Sequence, residues 1–338
     1  MSIWVSRAMD TVIGATPSPT ARTASGRLGV GTVAGFGLLA GLSSALATLI
    51  HQARSATRSI EAAAVEAALA DGTLVPPSVP GATHAQQRLA DYLVHVKLPQ
   101  GDGVYAPDGR LVTGAAAGSE RPLTLVMLGD STSVGYGTKH AGELPGVILA
   151  RGVAGALDQP VRLCTHGLTG AGSADLPRQL ALGLADRPDA VVILIGGNDI
   201  RDMVPPGRSA APLGAAVASL TSHEVPVVVG TCPDFGVISP IPQPLRLMLG
   251  GWSLRLAALQ EREVRTAGGS AVAIARLVSP QFVGRPDLFA PDRFHPSGPG
   301  YQRAMDVLLP ALIEQLGTGP ARQTQPIGPV IDESALPA

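Results

Sequence analysis

Cysteine is almost absent from this chain of 338 residues: Cys164 and Cys232 are the only two. Two are too few for a disulfide scaffold or a zinc site built from thiolates alone, and neither belongs to a CxxC pair. Aromatic residues are equally scarce at 3%, and charged residues reach only 15%, with 25 Lys+Arg against 26 Asp+Glu. A net charge of -1 gives no basic footprint for a nucleic acid and no acidic excess. Gly 41 and Pro 30 stay below the level of a low-complexity chain, and 45% hydrophobic residues are enough for a globular core.

One long uncharged run is present. Leu28 to Ile50 holds no charged residue over 23 positions, enough at about 1.5 Å per residue to cross a hydrocarbon layer of roughly 30 Å. It is expected to be a membrane segment, retained as an anchor. A cleaved signal (Ala45-Leu46-Ala47 has the A-x-A form) and a buried helix are the alternatives. Arg22 and Arg27 before it nearly balance Arg54 and Arg58 after it, so charge does not set the orientation. An extracytoplasmic position is expected for the domain beyond it. Residues 1–27 read as an N-terminal tail, 51–122 as a helical and then Pro/Gly-rich linker with a small hairpin near its end, and 317–338 as a disordered tail.

From 123 to 316 the pattern changes to short apolar runs alternating with segments of helical periodicity. The runs are Leu123-Leu128, Val161-Cys164, Ala190-Ile195, Val225-Gly230 and Ala271-Ala275. Continuously apolar strands separated by helices indicate an α/β domain, with a parallel sheet covered on both faces. In such sheets a site forms beyond the carboxyl ends of the strands, so the residues just after each run are the candidates.

Those residues are informative. Gly129-Asp130-Ser131 follows the first run, where a hydroxyl at the bend into an expected helix suits a nucleophile. Gly196-Gly197-Asn198-Asp199 follows the third, where the Asn198 amide can donate to a developing oxyanion. Before the last helix, Asp292-Arg293-Phe294-His295 can deliver from one tight loop a base and the carboxylate that orients it. Asp130 and Asp199 are expected to brace their loops by accepting amide hydrogens, and His140 and His166 to stand by. Ile238 to Trp252 is expected to pack on the sheet as a helix, or, with Met248, to wall an acyl chain.

Taken together these blocks resemble the SGNH (GDSL-type) hydrolase superfamily. Gly129-Asp130-Ser131 matches its nucleophile block, Gly170 in Thr169-Gly170-Ala171-Gly172 its oxyanion glycine, with Gly167 as rival, Gly196-Gly197-Asn198-Asp199 its GxND block and Asp292-Arg293-Phe294-His295 its DxxH block. The resemblance covers about Leu123 to Leu316. Thr132 stands where the motif's name has Leu. The resemblance implies a three-layer α/β/α sandwich, no cofactor, and hydrolysis of acyl esters or thioesters through Ser131, Asp292 and His295. Its oxyanion hole would be built from the Ser131 and Gly170 amides and Asn198. A non-catalytic envelope protein that binds acylated glycans and a carbohydrate O-acyltransferase or deacetylase are the alternatives. The expected partners are a small-molecule, lipid or glycan ester and, through residues 28–50, the membrane. No nucleic acid is expected.

Overall fold

The computed structural model describes residues 98–112 and 121–317, together with residues 47–49, 51–56, 58–60, 62–63 and 66. Seven strands form one sheet: β1 (Gly103–Tyr105), β2 (Leu111–Val112), β3 (Leu123–Gly129), β4 (Val161–Thr165), β5 (Ala190–Leu194), β6 (Val227–Gly230) and β7 (Ser270–Val272). Their order is β2-β1-β4-β3-β5-β6-β7. The five strands from β4 to β7 in that order run parallel, with Leu125 opposite Ala190 and Val191 opposite Val227. β1 pairs antiparallel with both β4 and β2.

The sheet is therefore mixed, which corrects the expectation of a purely parallel one. The folded unit also starts earlier than Leu123, because Gly103 and Tyr105, expected in the linker, pair with Leu163 and Val161. The reason is local: the edge of β4 offers unpaired amides and carbonyls, and the short hairpin covers them.

Strand alternation distributes the core. On β3, Leu123, Leu125 and Met127 face one layer and Val126 and Leu128 the other, all at most 5% exposed. The first layer holds α1 (Pro145–Leu157) and α7 (Gly298–Gly317). The second holds α2 (Leu176–Ala185), α4 (Pro206–Ser222) and the C-terminal half of α5 (Leu245–Thr266). The short α3 (Gly197–Arg201) and α6 (Ile274–Leu277) sit at strand ends. Three layers result, as the resemblance implies. β4 lies on one side of β3 and β5 on the other, so the direction of winding reverses at β3 and a crevice opens beyond its carboxyl end.

Of the run Leu28–Ile50 only Ala47, Thr48 and Leu49 are described, and the rest lies outside the described residues, as do the tails 1–27 and 318–338. Among the described residues no helix is long and apolar enough to cross a membrane. The helical residues between 47 and 66 pack on the domain instead of standing off from it as a linker. Ala56 is 6% exposed. Leu49 and Ala53 join a cluster containing Ile238, Ile241 and Leu245. The Gln52 side chain bonds the Gln243 carbonyl and accepts from the Leu245 amide.

Candidate active site

Ser131 stands two residues beyond β3, at the crevice. Gly129 makes the bend possible: its φ is 135°, and a β carbon there would lie 1.8 Å from the Leu194 carbonyl oxygen. The buried Gln179 side chain clamps this residue from α2, accepting from the Gly129 amide at 2.7 Å and donating to its carbonyl at 2.9 Å. Ser131 does not enter a regular helix as expected. Residues 131–137 are successive turns, broken by Gly135 and Gly137 at φ 75° and 95°, and the first full helix begins only at Pro145.

The loop before α7 meets this turn. Asp292 Oδ1 accepts from the Phe294 and His295 amides at 2.9 and 3.0 Å, while Oδ2 accepts from His295 Nδ1 at 2.6 Å. With Nδ1 carrying its hydrogen, Nε2 accepts from Ser131 Oγ at 3.0 Å. Ser131, His295 and Asp292 thus form one continuous hydrogen-bonded chain, with Asp292 and His295 three residues apart on one loop. Burial opposes charge on Asp292, but the facing His295 and the two amides outweigh it, holding the carboxyl below its usual range.

Asn198 lines the crevice beside Ser131, and Gly170 lies on the loop that Asn198 holds. Asn198 is 9% exposed, and its Nδ2 donates to the Ala171 carbonyl at 2.9 Å, which ties the start of α3 to the loop holding Gly170. Gly170 has φ 86° and open space where a β carbon would be. Its rival Gly167 is packed shut, since a β carbon there would meet Ser133 Oγ at 1.9 Å.

Asp130 and Asp199 brace loops. Asp130 accepts from the Thr132 amide at 2.9 Å and hydroxyl at 2.6 Å, and from the Gly197 amide at 3.3 Å. Asp199 Oδ2 accepts from the Ser173 amide and hydroxyl, both at 3.0 Å. Burial pushes both carboxyls up, offset in part by these bonds. His166 is paired with Asp186 at 2.5 Å and does not line the cavity at Ser131. Cys164 and Cys232 are both free thiols. Burial raises each, Cys164 to about 11, so neither is a ready nucleophile.

A cavity of about 120 Å³ opens from Ser131 toward the ends of β6 and β7. It is walled by apolar side chains, among them Val237, Ile238, Ile274, Phe282, Phe289 and Met305. Met248, a candidate for an acyl wall, packs instead with Trp252 and Leu49 in the cluster beneath the N-terminal helical residues, whereas its neighbour Ile238 does line the cavity. Among the described residues no group of three His, Cys, Asp or Glu side chains is arranged to hold a metal.

Two contributions escape a reading by motif. Gln260 binds the ends of two strands, accepting from the Cys232 amide at 2.7 Å and donating to the Ile195 carbonyl at 3.0 Å, as Gln179 does for β3. Each is a polar residue at a core position of a helix, and that break in periodicity is the signal. The second is the ring of Tyr136, 4.4 Å from that of His295.

The model of the GDSL-like lipase/acylhydrolase family matches residues 127–303, which hold Ser131, Gly170, Asn198, Asp292 and His295. The chain belongs to the GDSL-like lipase/acylhydrolase family. It is a carboxylic-ester hydrolase. This GDSL-like hydrolase is 42% identical over 221 residues to the GDSL-like esterase Rv1075c of Mycobacterium tuberculosis, covering 64% of this chain and 70% of that protein. Among solved structures it resembles a lipase/acylhydrolase from Enterococcus faecalis, with 19% identity and a TM-score of 0.45 over 60% of this chain and 99% of that one. An extracellular lipase from Streptomyces rimosus gives 18% identity and a TM-score of 0.47 over 57% and 99%.

Proposed function

We propose that Ser131 is the nucleophile of a serine esterase, His295 its general base and acid, and Asp292 the carboxylate that fixes the imidazole. The observation that carries this reading is the unbroken chain Ser131 Oγ to His295 Nε2 at 3.0 Å and His295 Nδ1 to Asp292 Oδ2 at 2.6 Å. Oγ bonds to the acyl carbon as its proton passes to Nε2. The carbonyl's electron pair moves to oxygen, where the Ser131 and Gly170 amides and Asn198 Nδ2 stabilise it. Collapse breaks the bond to the alcohol, which leaves with the proton from Nε2. Water then repeats the sequence on the acyl-enzyme and returns the proton to Ser131.

The acyl group lies in the apolar cavity of about 120 Å³, slightly smaller than the cavity of about 150 Å³ that admits benzene. Acyl groups of a few carbons fit that volume. Hydrolysis of p-nitrophenyl acetate and butyrate by Ser131→Ala tests the mechanism: activity is expected to vanish with unchanged circular dichroism, and retention of most activity would remove it.

We also propose that residues 28–50 anchor the chain, with the hydrolase domain outside the cytoplasm. The uncharged run of 23 residues supports this. Protease treatment of intact cells should cleave the domain, and full protection would place it inside.

A further inference from the structure

Asp292 and Ser131 account for the hydrogen bonds of the His295 side chain but not for the rings around it. The Tyr136 ring lies 4.4 Å from the imidazole, centroid to centroid, with the planes inclined at 46°. Phe294 meets the same imidazole edge-on, at 5.0 Å and 78°. Tyr136 is held on both sides of its α carbon. Its amide donates to the Ser131 carbonyl at 2.9 Å, and its carbonyl accepts from the Tyr301 hydroxyl, reaching in from α7, at 2.8 Å. Tyr136 is 6% exposed and Tyr301 1%. Burial, reinforced by the carboxylates of Asp130 and Asp292, keeps the Tyr301 phenol protonated and therefore a donor. Beside Tyr136, a β carbon on Gly137 would lie 2.7 Å from Ala290 Cβ and 3.5 Å from His295 Cβ, so the two loops meet without room for a side chain.

We propose that Tyr136 is a positioning residue for His295: its clamped ring holds the imidazole between Asp292 and Ser131 and favours the imidazolium formed when Ser131 gives up its proton. The inference rests on the triad reading above. An imidazole can turn about its last side-chain bond, and a ring packed at 4.4 Å restricts that turn. Once Nε2 is protonated, the ring becomes a cation within about 6 Å of an aromatic centroid, an attraction absent for the neutral form. The same residue is bonded to the Ser131 carbonyl, so nucleophile and base are braced by one side chain and its peptide. The titratable groups that face His295 are Asp292 from its own loop and Asp130 and Tyr136 from the turn, with the Tyr301 phenol of α7 on the Tyr136 carbonyl behind them.

The test uses Tyr136→Leu, Tyr136→Phe and Tyr301→Phe in the full chain, with kcat, KM and the pH profile of kcat/KM on p-nitrophenyl butyrate, and the melting temperature alongside. Tyr136→Leu should lower kcat by about 3- to 30-fold, the range of a cation over an aromatic face. KM should change little, and the acid limb should move to lower pH. Tyr136→Phe keeps the ring and should restore both. Tyr301→Phe keeps ring volume but removes the clamp, and should lower kcat several-fold with KM unchanged.

A lowered melting point with unaltered kcat and acid limb in Tyr136→Leu would reduce the ring to packing. If Tyr136→Leu does not fold, normal kcat in Tyr301→Phe, or damage in Tyr136→Phe equal to that in Tyr301→Phe, overturns the inference. Failure of a fluorophosphonate to label Ser131 in the unmutated protein would strike the triad instead. Labelling there, at an unchanged rate in Tyr136→Leu, strikes only the positioning role.

Discussion

Asn198→Ala separates chemistry from structure at a single residue. In the resting protein one hydrogen of Nδ2 is used on the Ala171 carbonyl at 2.9 Å. The other remains for an oxyanion held beside Ser131. Alanine removes both. Loss of an oxyanion donor acts chiefly when the tetrahedral intermediate forms, so kcat should fall by about 10²–10³, roughly 2.7–4 kcal/mol, with KM little changed. Loss of the bond to Ala171 acts on the fold. At about 0.5–1.5 kcal/mol for one such bond it should lower the melting temperature by roughly 1–6 °C. The two effects differ in size and in assay. Steady-state kinetics on p-nitrophenyl butyrate with thermal unfolding of the same sample reads both, and a normal kcat with a lowered melting point would refute the oxyanion role, leaving Asn198 a loop brace.

Three further outcomes arise from the packing. Gly129→Ala places a β carbon against the Leu194 carbonyl at a φ of 135°, and should cost about 3 kcal/mol or more in urea unfolding; a loss under 1 kcal/mol would contradict the close approach. A chain beginning at Leu98 uncovers the cluster beneath Leu49, Ala53 and Ala56, and at about 2 kcal/mol its melting temperature should drop by roughly 4–8 °C, whereas an unchanged value would mean the helical residues hold nothing. Asp199 is pushed up by burial, so the stability linked to its protonated form is complete below the unfolded carboxyl's pKa of about 3.9 and is lost as pH rises through the higher folded value. Asp199→Asn should therefore flatten the decline in melting temperature above about pH 4, and a steeper decline would reverse the assigned sign.

How much of the molecule is legible in its sequence depends on where each contact is made. The parallel strands are visible because strands buried on both faces are continuously apolar, as in Leu123-Leu128. The β1 and β2 hairpin escapes assignment to the sheet, since Gly103–Tyr105 is short and joins it only by pairing with residues near Val161, far along the chain. Asp292 and His295 can be paired on paper because three residues separate them. Tyr136 and Tyr301 cannot, because their hydrogen bond spans 165 residues and no local pattern marks it. The turn after Ser131 reads wrongly as a helix for an identifiable reason: Gly135 and Gly137 take positive φ, which the apolar spacing does not report. The residues after the uncharged run read as a linker because Ala and Glu suit a free helix as well as a docked one.

In the proposed mechanism Ser131 alone attacks the substrate, activated by His295. Its most direct measurement is mass spectrometry of the full chain after reaction with a fluorophosphonate, with the adduct mapped to a peptide and compared with Ser131→Ala and His295→Ala. One adduct per chain is expected, on Ser131, absent from Ser131→Ala and formed far more slowly in His295→Ala. An adduct on another residue, or an active enzyme that Ser131→Ala leaves fully reactive, would contradict it.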